Sequence, residues 1–443
     1  MAGAKDDETE WTGPAVEHPR RALGVVFAVV FVDLVGFGIL IPIVPLYAEG
    51  FGASEFVVGL LIAAYSMTQF LAAPVLGRLS DRRGRRPILL LSLAGSVVAW
   101  TLFGLAQGLL LLFVARLLAG AMGGNIATAQ AYVADLLPPE DRAKGLGLVG
   151  AAFGLGFVFG PALGGVFSSA SVVGTARSLL PAFVPVTEFT LPSFVAAGIS
   201  AANLLAAAVV LPETNAGDAT VQRESRIDRL RSALENPALN GLIVAFFLFS
   251  IAFSAMESMF VLFTGDVFGY GPTVNGYILA YLGVVIAVVQ GGLVGRLTDR
   301  YGERTIALIG VSLQFVGLLS LPFSPAIATT VPGVADLLPL FAGASDALVV
   351  LLVSLTILSL GNGFANVSLT TLVSMTAAED RQGGAFGLTQ SASSIARATG
   401  PVLAGVLYTA IGYWVPFVAG GLLMIPILGL LLTVIGKAVP VPE

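Results

Sequence analysis

Gly77-Arg78-Leu79-Ser80-Asp81-Arg82-Arg83-Gly84-Arg85-Arg86-Pro87 lies between two long apolar runs, so it predicts a tight, strongly basic loop at one membrane face. It returns 218 positions later (295 − 77) as Gly295-Arg296-Leu297-Thr298-Asp299-Arg300-Tyr301-Gly302-Glu303-Arg304, again between apolar runs. Gly, Arg, Leu, Asp, Arg, Gly and Arg recur in place. The chain therefore reads as two copies of one half. The period is far too long for a solenoid and suits a duplicated membrane bundle.

The composition around these stretches agrees. Of 443 residues, 56% are hydrophobic and only 11% charged, with a mean hydropathy of +0.92. Soluble domains carry about a quarter charged residues. The 53 glycines suit helices that approach closely in lipid, where small residues let backbones pack. The absence of Cys excludes disulfides, thiolate metal sites and a cysteine nucleophile. The single His, His18, sits in a polar N-terminal tail, so no histidine-based metal or acid/base cluster exists. No phosphate-binding G-x-x-x-x-G-K-[ST] pattern occurs, which argues against an ATP-driven pump. The reading is an all-α membrane protein without enzyme chemistry, cofactor, metal or nucleic-acid partner.

Apolar runs fall near 22–46, 54–77, 87–107, 109–137, 143–168 and 191–211, then near 240–263, 274–295, 305–323, 346–374, 384–411 and 414–436. At about 1.5 Å per residue the first reaches about 37 Å, enough to cross a hydrocarbon core of about 30 Å. Twelve spans result, six per half. The expected organisation is a tail (1–21), a six-helix bundle (22–214), a linker (215–239) and a second six-helix bundle with a short tail (240–443). In the linker, Ile227, Leu230 and Leu234 share one helical face, which predicts a short amphipathic helix on the membrane surface. Alternate loops and the tails carry nineteen Lys and Arg, whereas the opposite set carries only Arg177. This bias places both termini in the cytoplasm of a multi-pass plasma-membrane protein.

Three further stretches extend the pattern: Leu112-Phe113-Val114-Ala115-Arg116-Leu117-Leu118-Ala119-Gly120 in the fourth span, Gly156-Phe157-Val158-Phe159-Gly160-Pro161-Ala162-Leu163-Gly164-Gly165 in the fifth, and Leu211-Pro212-Glu213-Thr214 closing the sixth. Together with the doubled basic stretch, they resemble the major facilitator superfamily over essentially the whole chain beyond the tail. The resemblance is to the twelve-helix drug:proton antiporter type that includes tetracycline exporters. It implies two pseudo-symmetric six-helix bundles.

It also implies a cytoplasmic gate built from Gly77, Asp81, Arg82, Gly84, Arg85 and Asp135, with Gly295, Asp299 and Arg300 in the second copy. There Asp81 meets the eleventh span near Gly383 and Gly384 in an outward-open state, and Arg85 reaches Asp135. Glu303 stands where Arg85 would recur, which counts against a second relay. On physical grounds Gly77 and Gly84 permit tight turning and Pro87 can open the third helix. Gly156, Gly160, Pro161, Gly164 and Gly165 read as close packing with a kink, and by resemblance as an interface with the second half that favours one direction of access.

Asp33, Arg116, Glu257 and Arg397 lie inside spans. Each costs about 2.5–3.5 kcal/mol at a helix centre on insertion scales, so each should face the bundle interior or a wet cavity. Asp33 and Glu257 are the candidates for proton exchange or cargo binding, and Arg116 for tuning a neighbouring carboxylate. The bland alternative is a structural Asp33–Arg116 ion pair, and Arg397 reads as structural. Gln69, Asn125, Gln130, Gln290, Asn362, Asn366 and Gln390 are further cavity candidates, each equally suited to an interhelical hydrogen bond. Tyr65, Phe246, Phe249, Phe253 and Tyr281 are candidates for an apolar wall. The function expected is proton-driven export of a small amphipathic or lipophilic compound by alternating access, in a protein acting as a monomer. A sugar or metabolite symporter or uniporter is the alternative within transport, and a receptor or scaffold the alternative outside it.

Overall fold

The computed structural model describes residues 19–214, 236–337, 343–377 and 382–433. The expected linker helix around Ile227, Leu230 and Leu234 lies outside the described residues. In the first half, the helices able to cross a membrane are Arg21–Leu40, Glu55–Arg83, Arg85–Gly104, Leu109–Leu136, Lys144–Phe167 and Thr190–Val210. In the second they are Pro237–Phe268, Pro272–Tyr301, Glu303–Ser320, Asp346–Thr376 and Val415–Thr433. Gln382–Ala410, 29 residues long, takes the eleventh place. It is more polar than the rest, because Thr389, Gln390, Ser391, Ser393, Ser394, Arg397 and Thr399 interrupt it.

Several boundaries differ from expectation for local reasons. The basic stretch is not a loop. The second span stays helical to Arg83, Gly84 alone breaks the path at φ +98°, and the third helix starts at Arg85. Gly302, at φ +79°, repeats this break between Tyr301 and Glu303. Only glycine adopts such a backbone without strain, so one residue turns the chain in each half. Pro87 is then the third helical residue, still within the turn whose N–H groups lack helical acceptors. The first span ends at Leu40, before Pro42, and a short helix, Val44–Glu49, follows. The fourth span passes through a tight turn at Gly123–Asn125, and the eighth through a wider π turn at Val289–Leu293.

Packing repeats between the halves. The first span packs on the fifth and sixth, the second on the fourth, and the third on the fourth and sixth. Correspondingly, the seventh packs on the eleventh and twelfth, the eighth on the tenth, and the ninth on the tenth and twelfth. Two seams join the halves, the second span on the eleventh and the fifth on the eighth. A two-fold operation that exchanges the halves also exchanges these seams. Outward-facing side chains such as Leu205 (68% exposed) and Val209 (86%) are apolar, as expected where lipid is the solvent.

Both seams are made by one local device. Gly160 and Gly400 face their own half: a Cβ on Gly160 would lie 2.5 Å from Gly38 Cα, and one on Gly400 would lie 3.1 Å from Ser254 Cβ. The next residues, Pro161 and Pro401, turn their carbonyl oxygens to the other half. Those oxygens lie 2.6 Å and 2.2 Å from where Cβ atoms of Gly276 and Gly59 would be. Four residues on, Gly165 and Gly405 press against the backbone at Thr273 and at Glu55. These contacts lie at the end of the molecule opposite the arginine-rich stretches. Toward the arginine-rich end, Gly147, Gly150 and Gly154 of the fifth span and Gly291, Gly292 and Gly295 of the eighth meet nothing within 4 Å of an added Cβ. The halves thus converge at one end and part at the other.

Candidate functional site

Of the charged residues within spans, Asp33, Glu257 and Arg397 keep accessible surface, whereas Arg116 is buried. Asp33 sits in the first span with Leu34, Val35 and Gly36 buried beside it, yet it keeps accessible surface itself. Glu257 in the seventh span does the same between buried Met256 and Ser258. Accessible surface on a side chain deep in a bundle means that it borders an open space. Ser96 Oγ of the third span donates to Asp33 Oδ1 at 3.2 Å, and the side chain of Asn125, at the tight turn in the fourth span, also hydrogen-bonds Asp33. Glu257 lies in electrostatic range of Arg397 on the eleventh span.

Arg116 is 3% exposed and does not pair with Asp33: among the described residues no ion pair joins them. Its guanidinium instead covers the Tyr65 ring at 4.6 Å and the Phe37 ring at 5.8 Å from their centroids. A guanidinium on the face of an aromatic ring is held by the ring quadrupole, an attraction that strengthens as water is removed. Tyr65 is central to the site, because Arg116 lies over its ring and Asp33 and, from the opposite half, Arg397 lie in electrostatic range of it. Its sequence position promised only an apolar wall. Of the other wall candidates, Phe246 and Phe249 are buried in the core, and the Tyr281 hydroxyl is 2.6 Å from Thr356 Oγ1.

The uncharged candidates divide. Asn125 belongs to the site through Asp33. Gln69 is occupied by structure, its Nε2 donating to Gly123 O at 3.1 Å. Asn362 is 6% exposed, and Asn366 lies one turn further along the same helix. Gln290 falls in the π turn, a distortion common at functional positions. Gln130 and Gln390 are exposed. An apolar groove lined by Leu71, Val75, Leu76 and Met122 runs between the second and fourth spans but reaches none of these charges.

The gate residues of the first half assemble as a cluster. Arg85 Nε donates to Asp135 Oδ2 at 2.9 Å, and its Nη1 reaches Asp81 and Ser80. Arg82 is exposed. Glu213 joins them, which the sequence did not reveal beyond the motif that contains it. Its carboxylate accepts from the backbone N–H groups of Arg85 (2.7 Å) and Arg86 (3.2 Å). Arg86 Nη2 in turn donates to Ala208 O at the end of the sixth span. In the second half, Arg304 repeats that last contact, donating to Leu431 O and Leu432 O at the end of the twelfth. The relay itself is absent there. Glu303 Oε2 is buried without a partner, Asp299 forms no ion pair among the described residues, and Arg300 lies over the Tyr301 ring.

At the closed end a second group of acids meets across the halves. Thr409 Oγ1 donates to Glu55 Oε2 (2.8 Å) and accepts from Phe56 N (3.2 Å), and Tyr408 donates to Asp266. Glu49, at the end of the short helix after the first span, lies in electrostatic range of Asp266 and Glu55. Burial and these two acids raise its pKa from 4.5 to about 7.

The family model of the Major Facilitator Superfamily matches residues 26–350. Tetracycline resistance protein, class C, of Escherichia coli is 28% identical over 397 residues, covering 88% of this chain and 90% of the relative. The class E protein of Escherichia coli is 32% identical over 309 residues, covering 68% and 72%. Multidrug resistance protein 2 of Bacillus subtilis is 27% identical over 94% of this chain and 96% of its own length. Among solved structures, a bacterial homologue of the human lysosomal transporter Spinster, inward-facing and occupied, superposes with a TM-score of 0.72 at 14% identity, covering 96% of each chain. The duplicated bundles, the paired seams and these matches agree: the chain belongs to the major facilitator superfamily and is a membrane transporter of small molecules rather than an enzyme.

Proposed function

We propose that this transporter exports a small amphipathic compound in exchange for protons. The observation that carries the proposal is the placement of Asp33 and Glu257. Each belongs to a different half and keeps accessible surface deep in its bundle, which supports a shared crevice between the halves. Alternating closure of the two ends exposes such carboxylates to one aqueous compartment at a time. Protons entering from outside neutralise them and release cargo, and deprotonation toward the cytoplasm restores binding. The arginine-rich end is the cytoplasmic one, by its excess of positive charge, so this conformation faces inward. The protein sits in the plasma membrane with both termini in the cytoplasm, acts as a monomer and needs no cofactor beyond the proton gradient. Its similarity to tetracycline and multidrug resistance proteins supports the cargo class.

The test is transport in proteoliposomes under an imposed pH gradient, with dye cargo and pH followed together. Cargo should leave the cytoplasm-equivalent side as protons enter, and Asp33→Asn and Glu257→Gln should each lose most of the gradient dependence. Full gradient dependence in both variants overturns the coupling assignment. Cargo moving with the protons marks a symporter, and no cargo-linked proton flux marks a receptor or scaffold.

A further inference from the structure

From the sequence alone Arg397 reads as structural. It is exposed, and among the described residues it forms no hydrogen bond or ion pair. Arg116, the other mid-span arginine, is buried with its guanidinium committed to two rings. An arginine side chain brings five donors into a region where an unpartnered charge is costly, so Arg397 must meet water or an anion.

Its position rules out lipid. One turn away, Gly400 touches Ser254 of the seventh span and the Pro401 carbonyl touches Gly59 of the second, so this part of the eleventh helix is wedged between the halves. The second span runs opposite to the eleventh. With about 1.5 Å of rise per residue, Arg397 lies about 6 Å below Pro401 and Tyr65 about 9 Å below Gly59, within one turn of the same depth. Glu257 lies about 9 Å nearer the closed end than Arg397 by the same reckoning, within electrostatic reach but beyond an ion pair. Gln390, Ser393, Ser394 and Arg397 follow one another at three- and four-residue spacing, a polar stripe along one face. Pro401 also withholds the N–H that would bond the Arg397 carbonyl.

We propose that Arg397 receives an anionic group of the cargo, so that the compounds carried are amphoteric, with a carboxylate on an apolar body and a cationic end directed to Asp33 or Glu257. Both signs of charge then line the crevice, and the planar guanidinium offers a carboxylate two parallel hydrogen bonds. This rests on the reading of the protein as a carrier of amphipathic compounds.

The test uses two dyes that differ at one group: rhodamine B, which carries a carboxylate, and its ethyl ester, which does not. Their binding to the full chain in lipid nanodiscs is read by fluorescence polarisation against empty nanodiscs. The parent protein should bind both. Arg397→Gln should weaken rhodamine B binding tenfold or more and the ester less than twofold, with Arg397→Lys, which keeps the charge but not the two parallel hydrogen bonds, binding rhodamine B between the Gln variant and the parent. Equal loss of both dyes, or loss of neither, overturns the inference. Binding of the ester alone by the parent overturns it too, while leaving the amphipathic-cargo reading intact. Binding of neither dye by the parent counts against that reading and against this inference with it.

Discussion

Glu213 follows the sixth span in sequence, but its carboxylate caps the third. Two backbone N–H groups at that helix start have no helical acceptor, and the carboxylate supplies one to each while facing the positive end of the helix dipole. Such a cap is worth about 1 kcal/mol. It also explains why Gly84 has no room for a side chain: a Cβ there would lie 2.3 Å from Glu213 Oε2. Glu213→Ala should lower the thermal midpoint of the purified protein by a few degrees. Glu213→Gln, which keeps the acceptor and loses the charge, should lower it by less. Equal midpoints for all three proteins would remove the cap from the account.

The Gly-Pro-x-x-x-Gly device at the seams belongs to the scale of whole elements. Glycine in a helix interior costs about 1 kcal/mol relative to alanine, so glycines at these contacts are retained against their own propensity. What they permit is backbone-to-backbone approach between helices of different halves. A side chain at Gly59 or Gly276 should therefore hold the halves apart at the closed end. Gly59→Val and Gly276→Val are expected to raise the labelling rate of Ala404→Cys, at a position 1% exposed in the seam, by a membrane-impermeant maleimide several-fold. Gly198→Val, in open space on the sixth span, should leave it unchanged. Similar rates in all four proteins would mean that the seams do not control closure.

At the scale of the whole molecule, the acids at the closed end connect conformation to external pH. Glu49 faces Asp266 of the seventh span and Glu55 of the second, with Tyr408 and Thr409 of the eleventh bonded to those two acids. A carboxyl whose pKa is raised to about 7 in the closed arrangement, against 4.5 when free in water, favours closure when protonated. That contribution is fully present below about pH 4.5 and is lost as pH rises through about 7. Acidifying from pH 8 to pH 5 should shorten the mean distance between spin labels at Ala53→Cys and Ile411→Cys. Glu49→Gln should abolish most of the change. An undiminished response in that variant would exclude Glu49 as its source.

Hydropathy, the doubled Gly-x-Leu-x-Asp-Arg stretch and the arginine bias were enough to read a duplicated helical membrane bundle from the chain alone, because each is a local constraint that lipid or a tight turn imposes. Asp33, Arg116 and Glu257 stood out for the same reason, since a charge within a span is costly wherever the span lies. Among pairings of distant residues, Arg85 with Asp135 was legible through the resemblance, and the others were not. Nothing local distinguishes Ser96 from any serine in an apolar helix, ties Glu213 to the third span, or turns Arg116 from Asp33 to the ring of Tyr65. Those were decided only when helices far apart in sequence packed together, because hydrogen bonds, cation–ring contacts and glycine seams depend on distances that the order of residues does not carry.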